Sequence, residues 1–178
     1  RLFSVGKKAR YHRMTQGNPR PDLSKVTQIT EKLSGENADS HLDAYLHEAR
    51  EYLREYEWCK GIRKEYVGLF VDGIIGIFLF QILPGRPEVD EWIWVVVGDL
   101  PPTYLTCDRC PNPATALDGY IGAMSEWVEA ASKGTSVAEL VPVNVPATRE
   151  NAVLLKKRLD FLDQRILANY QNDLTGPG

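Results

Sequence analysis

Two thiols lie at a spacing that can support redox or metal chemistry. Cys107 and Cys110 form a Cys-x-x-Cys motif, which can close a redox disulfide or supply half of a zinc site. A helix that starts soon after the motif would lower the pKa of such a thiol. However, Pro111 and Asn112 intervene, no thioredoxin-like strand-helix-strand frame surrounds the motif, and no second Cys-x-x-Cys or His pair completes a zinc set. Incidental loop cysteines are therefore favoured over redox chemistry and metal binding, and we expect no metal and no cofactor.

Asp99 is the third candidate catalytic residue, because a carboxylate at the end of an apolar strand can act as a general base or contact a ligand. In Gly98-Asp99-Leu100-Pro101-Pro102, an aspartate more often bonds nearby backbone N–H groups and shapes the turn. The chain has no Gly-x-Gly-x-x-Gly, P-loop, His-Glu-x-x-His or nucleophile-elbow motif, and none of its three histidines lies beside a plausible catalytic nucleophile. These absences favour a non-catalytic protein, although they leave the enzyme question open.

These residues lie next to a predicted β-sheet. The clearest evidence for the sheet in the sequence is a turn motif between two apolar runs. Asp72-Gly73 separates residues 67–71 from residues 74–82. An Asp-Gly pair between such runs is typical of a two-residue hairpin turn in which both residues take positive φ. A membrane helix is the rival interpretation, but Asp72 near its centre would cost about 2.5–3.5 kcal/mol. The pattern therefore predicts a hairpin and no membrane span.

Further apolar runs and amphipathic segments complete the predicted α+β fold. The sheet is an antiparallel meander of three to four strands, at about residues 66–71, 74–82, 91–97 and 103–107. Helices pack with it at about residues 41–60, 113–133 and 148–169. Helix start signals are present at Asp39 or Ser40, at Asn112-Pro113 and at Thr148, and Gly134 is a stop signal. We expect a single domain over residues 39–172 and a frayed tail over residues 173–178.

The predicted strands barely alternate between apolar and polar residues. Residues 92–96 read Trp-Ile-Trp-Val-Val, whereas a half-solvated antiparallel sheet would alternate. Both faces are therefore expected to be covered, either by the chain's own helices or by a second subunit in a homodimer formed through the sheet or its edge. Trp92 and Trp94 share one face at strand spacing. Such aromatic residues can line a ligand pocket, but they more often build core, which we favour.

The N-terminal region is basic. Residues 1–32 carry eight Lys and Arg residues and two acidic ones, hence a charge of +6, whereas the remainder carries −9 of the net −3. We expect residues 1–38 to be a largely disordered arm, and a solvated tail is favoured over nucleic-acid or membrane contact through Lys7, Lys8, Arg10 and Arg13. The first methionine is Met14, so residues 1–13 are interpreted as translated upstream sequence or as the end of a longer precursor. They lack the apolar core of a signal peptide.

Residues 94–105 carry a resemblance to other proteins. The segment Trp-Val-Val-Val-Gly-Asp-Leu-Pro-Pro-Thr-Tyr-Leu resembles part of a small bacterial family of uncharacterised proteins, and residues 142–146 and 158–162 resemble its C-terminal part. The resemblance covers about residues 40–168. It implies an apolar Asp-Gly hairpin, then this segment and two closing helices, and it implies no function and no site.

The cysteine count bears on location and function. Three cysteines in 178 residues are few and odd in number, so no disulfide framework is expected and a reducing, cytoplasmic location is favoured. The sequence therefore predicts a non-catalytic cytosolic bacterial binding or accessory protein, of partner-binding or immunity type, with a protein partner or a homodimeric state. The alternative is a thiol-dependent redox enzyme or sensor that uses Cys107 and Cys110.

Overall fold

The computed structural model describes residues 19–30 and 40–175 of the chain. Within them, five antiparallel strands form one sheet, and their spatial order is their order in the sequence. They are β1 Thr27–Gln28, β2 Cys59–Val71, β3 Ile75–Pro84, β4 Trp92–Gly98 and β5 Thr103–Thr106. The predicted α+β class and antiparallel meander are confirmed. The predicted count of three to four strands was too low, because β1 has only two residues and periodicity cannot reveal so short a strand.

The hairpin between β2 and β3 reverses at Asp72-Gly73 as predicted, but its turn differs in detail. The N–H of Ile74 donates to the C=O of Val71 at 3.0 Å, and Val71 pairs with Ile75 across the ladder. Gly73 has a φ of 69°, whereas no residue other than glycine has a positive φ in the described chain. The prediction that both turn residues take positive φ was therefore wrong. The loop is one residue longer, and only its glycine needs the left-handed conformation.

Both faces of the sheet are buried by the chain's own helices. Helix α1 (Ser40–Arg54) covers one face, where buried side chains of helix and sheet form a cluster that includes Leu46, Ala49, Leu53, Phe78, Phe80, Ile82 and Val95. Helices α2 (Pro113–Lys133) and α3 (Arg149–Phe161) share the second cluster with the other face, including Ile77, Leu79, Trp92, Trp94, Trp127 and Leu155. The lack of alternation is thus explained without a second subunit. Trp92 and Trp94 share a core face, as predicted.

The junction between α1 and β2 differs from the prediction. α1 ends at Arg54 and not near residue 60, because residues 55–58 form turns. The N–H of Tyr56 donates to the C=O of Leu53 at 3.1 Å, and the N–H of Cys59 donates to the C=O of Tyr56 at 3.0 Å. This reversal stacks Tyr56 on Trp58, with ring centroids 4.9 Å apart. β2 then begins at Cys59 and not near residue 66. Residues 59–65 are mostly polar and do not alternate with apolar residues, because three register shifts interrupt the pairing of β2 with β3.

The helices α2 and α3 begin where their capping residues predicted. The Asn112 side chain accepts from the N–H of Thr115 at 2.9 Å, and the Thr148 side chain accepts from the N–H of Asn151 at 3.2 Å. The predicted third helix over about residues 148–169 is less regular than expected. α3 is followed by a π-helical turn at Leu162–Ile166, a 3-10 turn at Leu167–Tyr170 and α4 (Gln171–Leu174). The wider π turn lets Leu162 and Leu167, five residues apart, both reach the core.

Residues 19–30 belong to the folded unit, although they fall within the predicted arm of residues 1–38. The N–H of Asp22 donates to the C=O of Pro111 at 2.7 Å, and Lys25 pairs with Asp173 at 2.8 Å. β1 then adds to the edge of β2. The sheet therefore recruits a segment that composition alone assigned to the arm. Residues 1–18 and 31–39 lie outside the described residues.

Candidate functional site

The three candidate catalytic residues do not lie together. Cys107 and Cys110 follow the C-terminal end of β5, whereas Asp99 precedes its N-terminal end. β5 has four residues, and a strand of that length spans about 13 Å. The thiols and the carboxylate therefore lie at opposite ends of β5 and do not form one site.

Burial governs the chemistry of the Cys-x-x-Cys motif. Cys107 and Cys110 are free thiols that are 3% and 5% exposed. Burial raises the pKa of Cys110 to about 12 and raises the pKa of Cys107 well above its usual range. Trp94 Nε1 donates to the C=O of Cys110 at 2.6 Å, which fixes the backbone at this position. Almost no thiolate forms near neutral pH, and both nucleophilic attack and metal binding need the thiolate.

Asp99 lies on the surface and lines a cleft of about 300 Å³ together with Leu100 and Phe161. Its backbone N–H donates to the C=O of Ile74 at 3.1 Å. Its side chain is 68% exposed and pairs with Arg158 of α3 at 3.3 Å. We predicted that this carboxylate would bond nearby backbone N–H groups, whereas the structure pairs it with a helix. Neither burial nor a neighbouring base prepares it for proton transfer.

The described residues form neither a metal site nor a membrane-spanning helix. Within residues 19–30 and 40–175, no three His, Cys, Asp or Glu side chains are placed to hold a metal ion. None of the helices in those two ranges is long and apolar enough to cross a membrane. The arm residues Lys7, Lys8, Arg10 and Arg13, for which a solvated tail was favoured over nucleic-acid or membrane contact, lie outside the described residues.

A cleft of about 580 Å³ lies at the edge of the sheet, and we call it the basic cleft. The N-terminal half of β2 forms its floor, and the C-terminal part of α1 and the end of β1 form its walls. Five cations and one carboxylate line it, namely Arg50, Arg54, Lys60, Arg63, Lys64 and Glu65. The cleft is therefore a positive site on a chain whose net charge is −3.

The two arginines that α1 contributes are each paired. Arg50 forms a two-point bond with Glu65, with its Nε and Nη2 atoms 2.6 and 2.5 Å from the carboxylate oxygens. This geometry suits the planar guanidinium, and the pair is half-buried. Arg54 pairs with Glu51 along the exposed side of α1. The Arg50–Glu65 pair thus fixes the inner wall of the basic cleft, while Arg54 stays at its rim.

The cations that β2 contributes are less neutralised. Arg63 reaches Glu91 at 3.5 Å, with 52% of the Arg63 side chain exposed, so this contact is weak. Lys60 and Lys64 have no ion-pair partner among the described residues. Both lysines are exposed. The floor of the basic cleft therefore carries positive charge that an external anion can bind.

β2 also presents unpaired backbone to the basic cleft. β1 pairs with β2 at two positions, opposite Tyr66 and Val67, and the N–H of Ile29 donates to the C=O of Glu65 at 2.8 Å. No other described strand lies on this side of residues 59–64, whose opposite edge pairs with β3. An open strand edge presents N–H and C=O groups to which another strand can bond. Among the described residues, the basic cleft therefore combines two unpaired lysines with an unpaired strand edge.

The basic cleft is poorly equipped for catalysis. Among the described residues that line it, Cys59 is the one thiol, and this thiol donates to the C=O of Gly61 at 3.8 Å. Burial raises the pKa of Cys59 above its usual range. The arrangement is therefore suited to binding an anion or a strand and not to activating a nucleophile.

Sequence reasoning missed the basic cleft because its cations come from two elements. Arg50 and Arg54 fit the solvated face of an amphipathic helix, and Lys60, Arg63 and Lys64 precede the first predicted strand. The available signal was the basic run of β2 itself, which stands out in a body that is otherwise acidic. Only the packing of α1 beside β2 turns the two groups into one site.

Comparisons with known proteins add no functional assignment. A scan against protein families, a search of curated proteins and a search of solved structures each found no match. The functional argument therefore depends on the chemistry of the basic cleft.

Proposed function

We propose that the protein is a non-catalytic partner-binding protein whose basic cleft takes an acidic segment of another protein. The observation that carries the proposal is the lining of the cleft, with five cations and one carboxylate. Because Lys60 and Lys64 have no ion-pair partner in the described chain, a bound carboxylate would form charge-assisted bonds without displacing an existing one. Because the rest of the protein is acidic, the positive potential of the basic cleft would also steer an acidic partner toward the cleft during association.

A second copy of the chain is a poorer occupant than an acidic partner. Two copies that met edge to edge at β2 would bring Lys60, Arg63 and Lys64 of each chain together, and opposed like charges destabilise a sheet. The faces of the sheet offer no alternative, because helices bury both of them. We therefore favour a protein partner over a homodimer, and light scattering should give the mass of a monomer.

Nucleic acid is also a poorer occupant. Single-stranded nucleic acid binds through stacking on aromatic side chains, and none of the described residues that line the basic cleft is aromatic. The open edge of residues 59–64 is about 20 Å long, which spans only a few phosphates. A short acidic peptide matches both the length and the charge of this site.

The proposal includes a cytoplasmic location and a bacterial accessory or immunity-type role. Three free cysteines support a reducing compartment, since thiols persist unpaired there. The separation of Asp99 from the cysteine motif supports a function without catalysis. Binding through one charged cleft is typical of proteins that act by occupying a partner.

Charge reversal of the two unpaired lysines tests the proposal. The probe is a capped, fluorescein-labelled peptide that repeats Glu-Glu-Val, so that glutamates fall on both faces of an extended strand, and its binding is followed by fluorescence anisotropy. The double variant Lys60→Glu/Lys64→Glu should weaken binding by about tenfold or more, because each exposed charge contributes up to about 1 kcal/mol and reversal adds repulsion. Binding to the unaltered protein should weaken as the salt concentration rises.

The matched control is Arg109→Glu/Lys157→Glu, which changes the net charge equally at two exposed positions outside the basic cleft. This control should bind the probe as the unaltered protein does. Equal losses in both double variants would contradict the proposal, because they would show a general effect of net charge. Tighter binding of an oligonucleotide with the same charge as the peptide would also contradict it.

Thiol-dependent redox chemistry at Cys107 and Cys110 is the alternative function, and it has less support. Cys110 is close enough to affect the ionisation of Cys107, which favours this alternative, but burial keeps both thiols protonated. Thiol titration under oxidant tests this alternative. It fails if both thiols stay unpaired, or if Cys107→Ser leaves activity in cells unchanged.

A further inference from the structure

We propose that the acidic partner binds as an extended strand, added antiparallel to residues 59–64 of β2 and in line with β1. This inference rests on the proposed function and deepens it, because it specifies the conformation and the chemistry of the partner segment. That segment has about five or six residues, is rich in Glu or Asp, and contains no proline where its N–H must donate.

β1 shows how a strand binds this edge. It pairs antiparallel with β2 at two positions, and the N–H of Ile29 extends the pairing to the C=O of Glu65 at 2.8 Å. Residues 59–64 continue the strand beyond that point, with an open edge about 20 Å long. This length is that of an ordinary strand. A bound segment would therefore extend β1 across an edge that is already shaped as part of a sheet.

Cations flank the open edge on both faces of the sheet. Lys64 pairs across the ladder with Gln81, which lies between two residues that face α1, so Lys64 lies on the face covered by α2. Ile62 pairs with a residue buried beneath α1, and Arg50 and Arg54 of α1 lie on that face. The side chains of an added strand alternate between the faces. Acidic residues at successive positions would therefore meet cations on either side.

The features that protect this edge from self-association also select its partner. β2 has three register shifts against β3, and Lys60, Arg63 and Lys64 lie along the edge. Bulges and charged side chains are two devices by which proteins prevent edge-to-edge aggregation. A neutral or basic strand would leave these cations without a partner, whereas an acidic strand pairs with them. Specificity for acidic segments thus follows from the protection of the edge.

A scan of N-methylated peptides tests the strand geometry on the full-length chain. The probe is the same peptide of Glu-Glu-Val repeats, about seven residues long to cover the open edge, with one N-methyl group in each variant. In an added antiparallel strand every second N–H bonds to β2. N-methylation should therefore weaken binding by about tenfold at alternate positions and by less than about twofold at the others. A uniform response along the peptide would overturn strand addition.

Amide hydrogen exchange, measured by NMR, gives a second readout. Amides of residues 59–64 that face the basic cleft should exchange rapidly in the free protein and slowly when the peptide is bound. Protection in the free protein would mean that the edge is already paired, and it would overturn the inference. Unchanged exchange with the peptide bound would overturn it as well.

The proposed function and this inference fail in different ways. Peptide binding that is insensitive to Lys60→Glu/Lys64→Glu defeats both, because it removes the basic cleft as the binding site. Charge-sensitive binding without an alternating N-methyl pattern defeats only the strand geometry. Charge-sensitive binding with alternation and new amide protection supports both.

Discussion

The Arg50–Glu65 ion pair leads to a prediction in which affinity and stability change in opposite directions. Glu65 is the one carboxylate among the described residues that line the basic cleft, and it accepts two hydrogen bonds from the guanidinium of Arg50. The variant Glu65→Gln removes the negative charge and keeps the shape of the side chain. We expect it to bind an acidic peptide more tightly and to be less stable than the unaltered protein.

The gain in affinity follows from the geometry of the pair. A peptide carboxylate that contacts Arg50 from the open side would lie about 7 Å from the Glu65 carboxylate, across the guanidinium. At that separation the repulsion is about 0.6 kcal/mol with the dielectric constant of water and about 2.4 kcal/mol with an effective constant of about 20. The middle of this range is about 1.5 kcal/mol, which is close to the roughly 1.4 kcal/mol of a tenfold change in Kd. We therefore expect Kd to fall by about tenfold at low salt.

The loss of stability comes from the folded protein alone. The Glu65 side chain is 17% exposed and the Arg50 side chain is 32% exposed, so the pair is partly shielded from water. Glutamine can still accept one neutral hydrogen bond from Arg50, which limits the loss. Replacing a charge-assisted pair with a neutral bond should lower the free energy of unfolding by about 1–2 kcal/mol.

Two measurements check this prediction, and one control separates the site from net charge. Fluorescence anisotropy gives Kd at low and high salt, and urea unfolding gives the stability. Glu129→Gln, which breaks an exposed pair with Lys133 on α2, makes the same change in net charge and should leave Kd within about twofold. A folded Glu65→Gln variant whose Kd is unchanged or higher would refute the assignment of Arg50 to peptide binding.

Three further predictions concern stability and thiol reactivity. Gly119→Ala should destabilise the protein by about 1 kcal/mol, because the new Cβ would lie 3.0 Å from the Cys110 sulfur. At Gly122 an added Cβ would have no atom within 4 Å, so Gly122→Ala should stabilise the protein by up to about 1 kcal/mol. Urea unfolding measures both changes, and stability changes of the same sign in the two variants would refute this packing. Cys107 and Cys110 should react with a thiol reagent only when the protein unfolds, whereas the less buried Cys59 should react slowly in the folded protein. Rapid reaction of two or more thiols in the folded protein would contradict this prediction. Since burial raises the folded pKa of Cys110 from 9.0 to about 12, its contribution to stability should be complete below about pH 9 and be lost as the pH rises toward 12, as urea unfolding across this range would measure.

The elements set by local chemistry were predictable from the sequence. Asn112 and Thr148 cap helices because short polar side chains can accept from backbone N–H groups of the first turn. The reversal at Asp72-Gly73 follows from the freedom of glycine, and the runs on either side of it are too apolar to face water. The burial of both sheet faces followed from that lack of alternation.

The start of β2 was not predictable in the same way. Lys60, Arg63 and Lys64 give no period-two pattern, because register shifts change which residues share a face. Their inclusion in the sheet depends on pairing with β3, which is a long-range interaction. β1 was missed for a similar reason, since it is held by a partner strand and not by its own pattern.

The candidate site shows the same division between local and tertiary information. The spacing of Cys107 and Cys110 is visible in the sequence, but reactivity depends on burial, and burial is set by α2 and Trp94. The basic cleft has no motif at all. It exists because α1 packs beside β2, which brings Arg50 into contact with Glu65, 15 residues later in the chain.

The order of the strands bears on how the sheet assembles and how it fluctuates. From β2 to β5, each strand pairs with the next in the sequence, so successive hairpins can form with short loop closures. β1 is separated from β2 by α1 and pairs through only two residues. We therefore expect β1 to dock last during folding and to fray first in the native state. Each fraying event would lengthen the open edge of β2, so the number of hydrogen bonds available to a partner would vary with time.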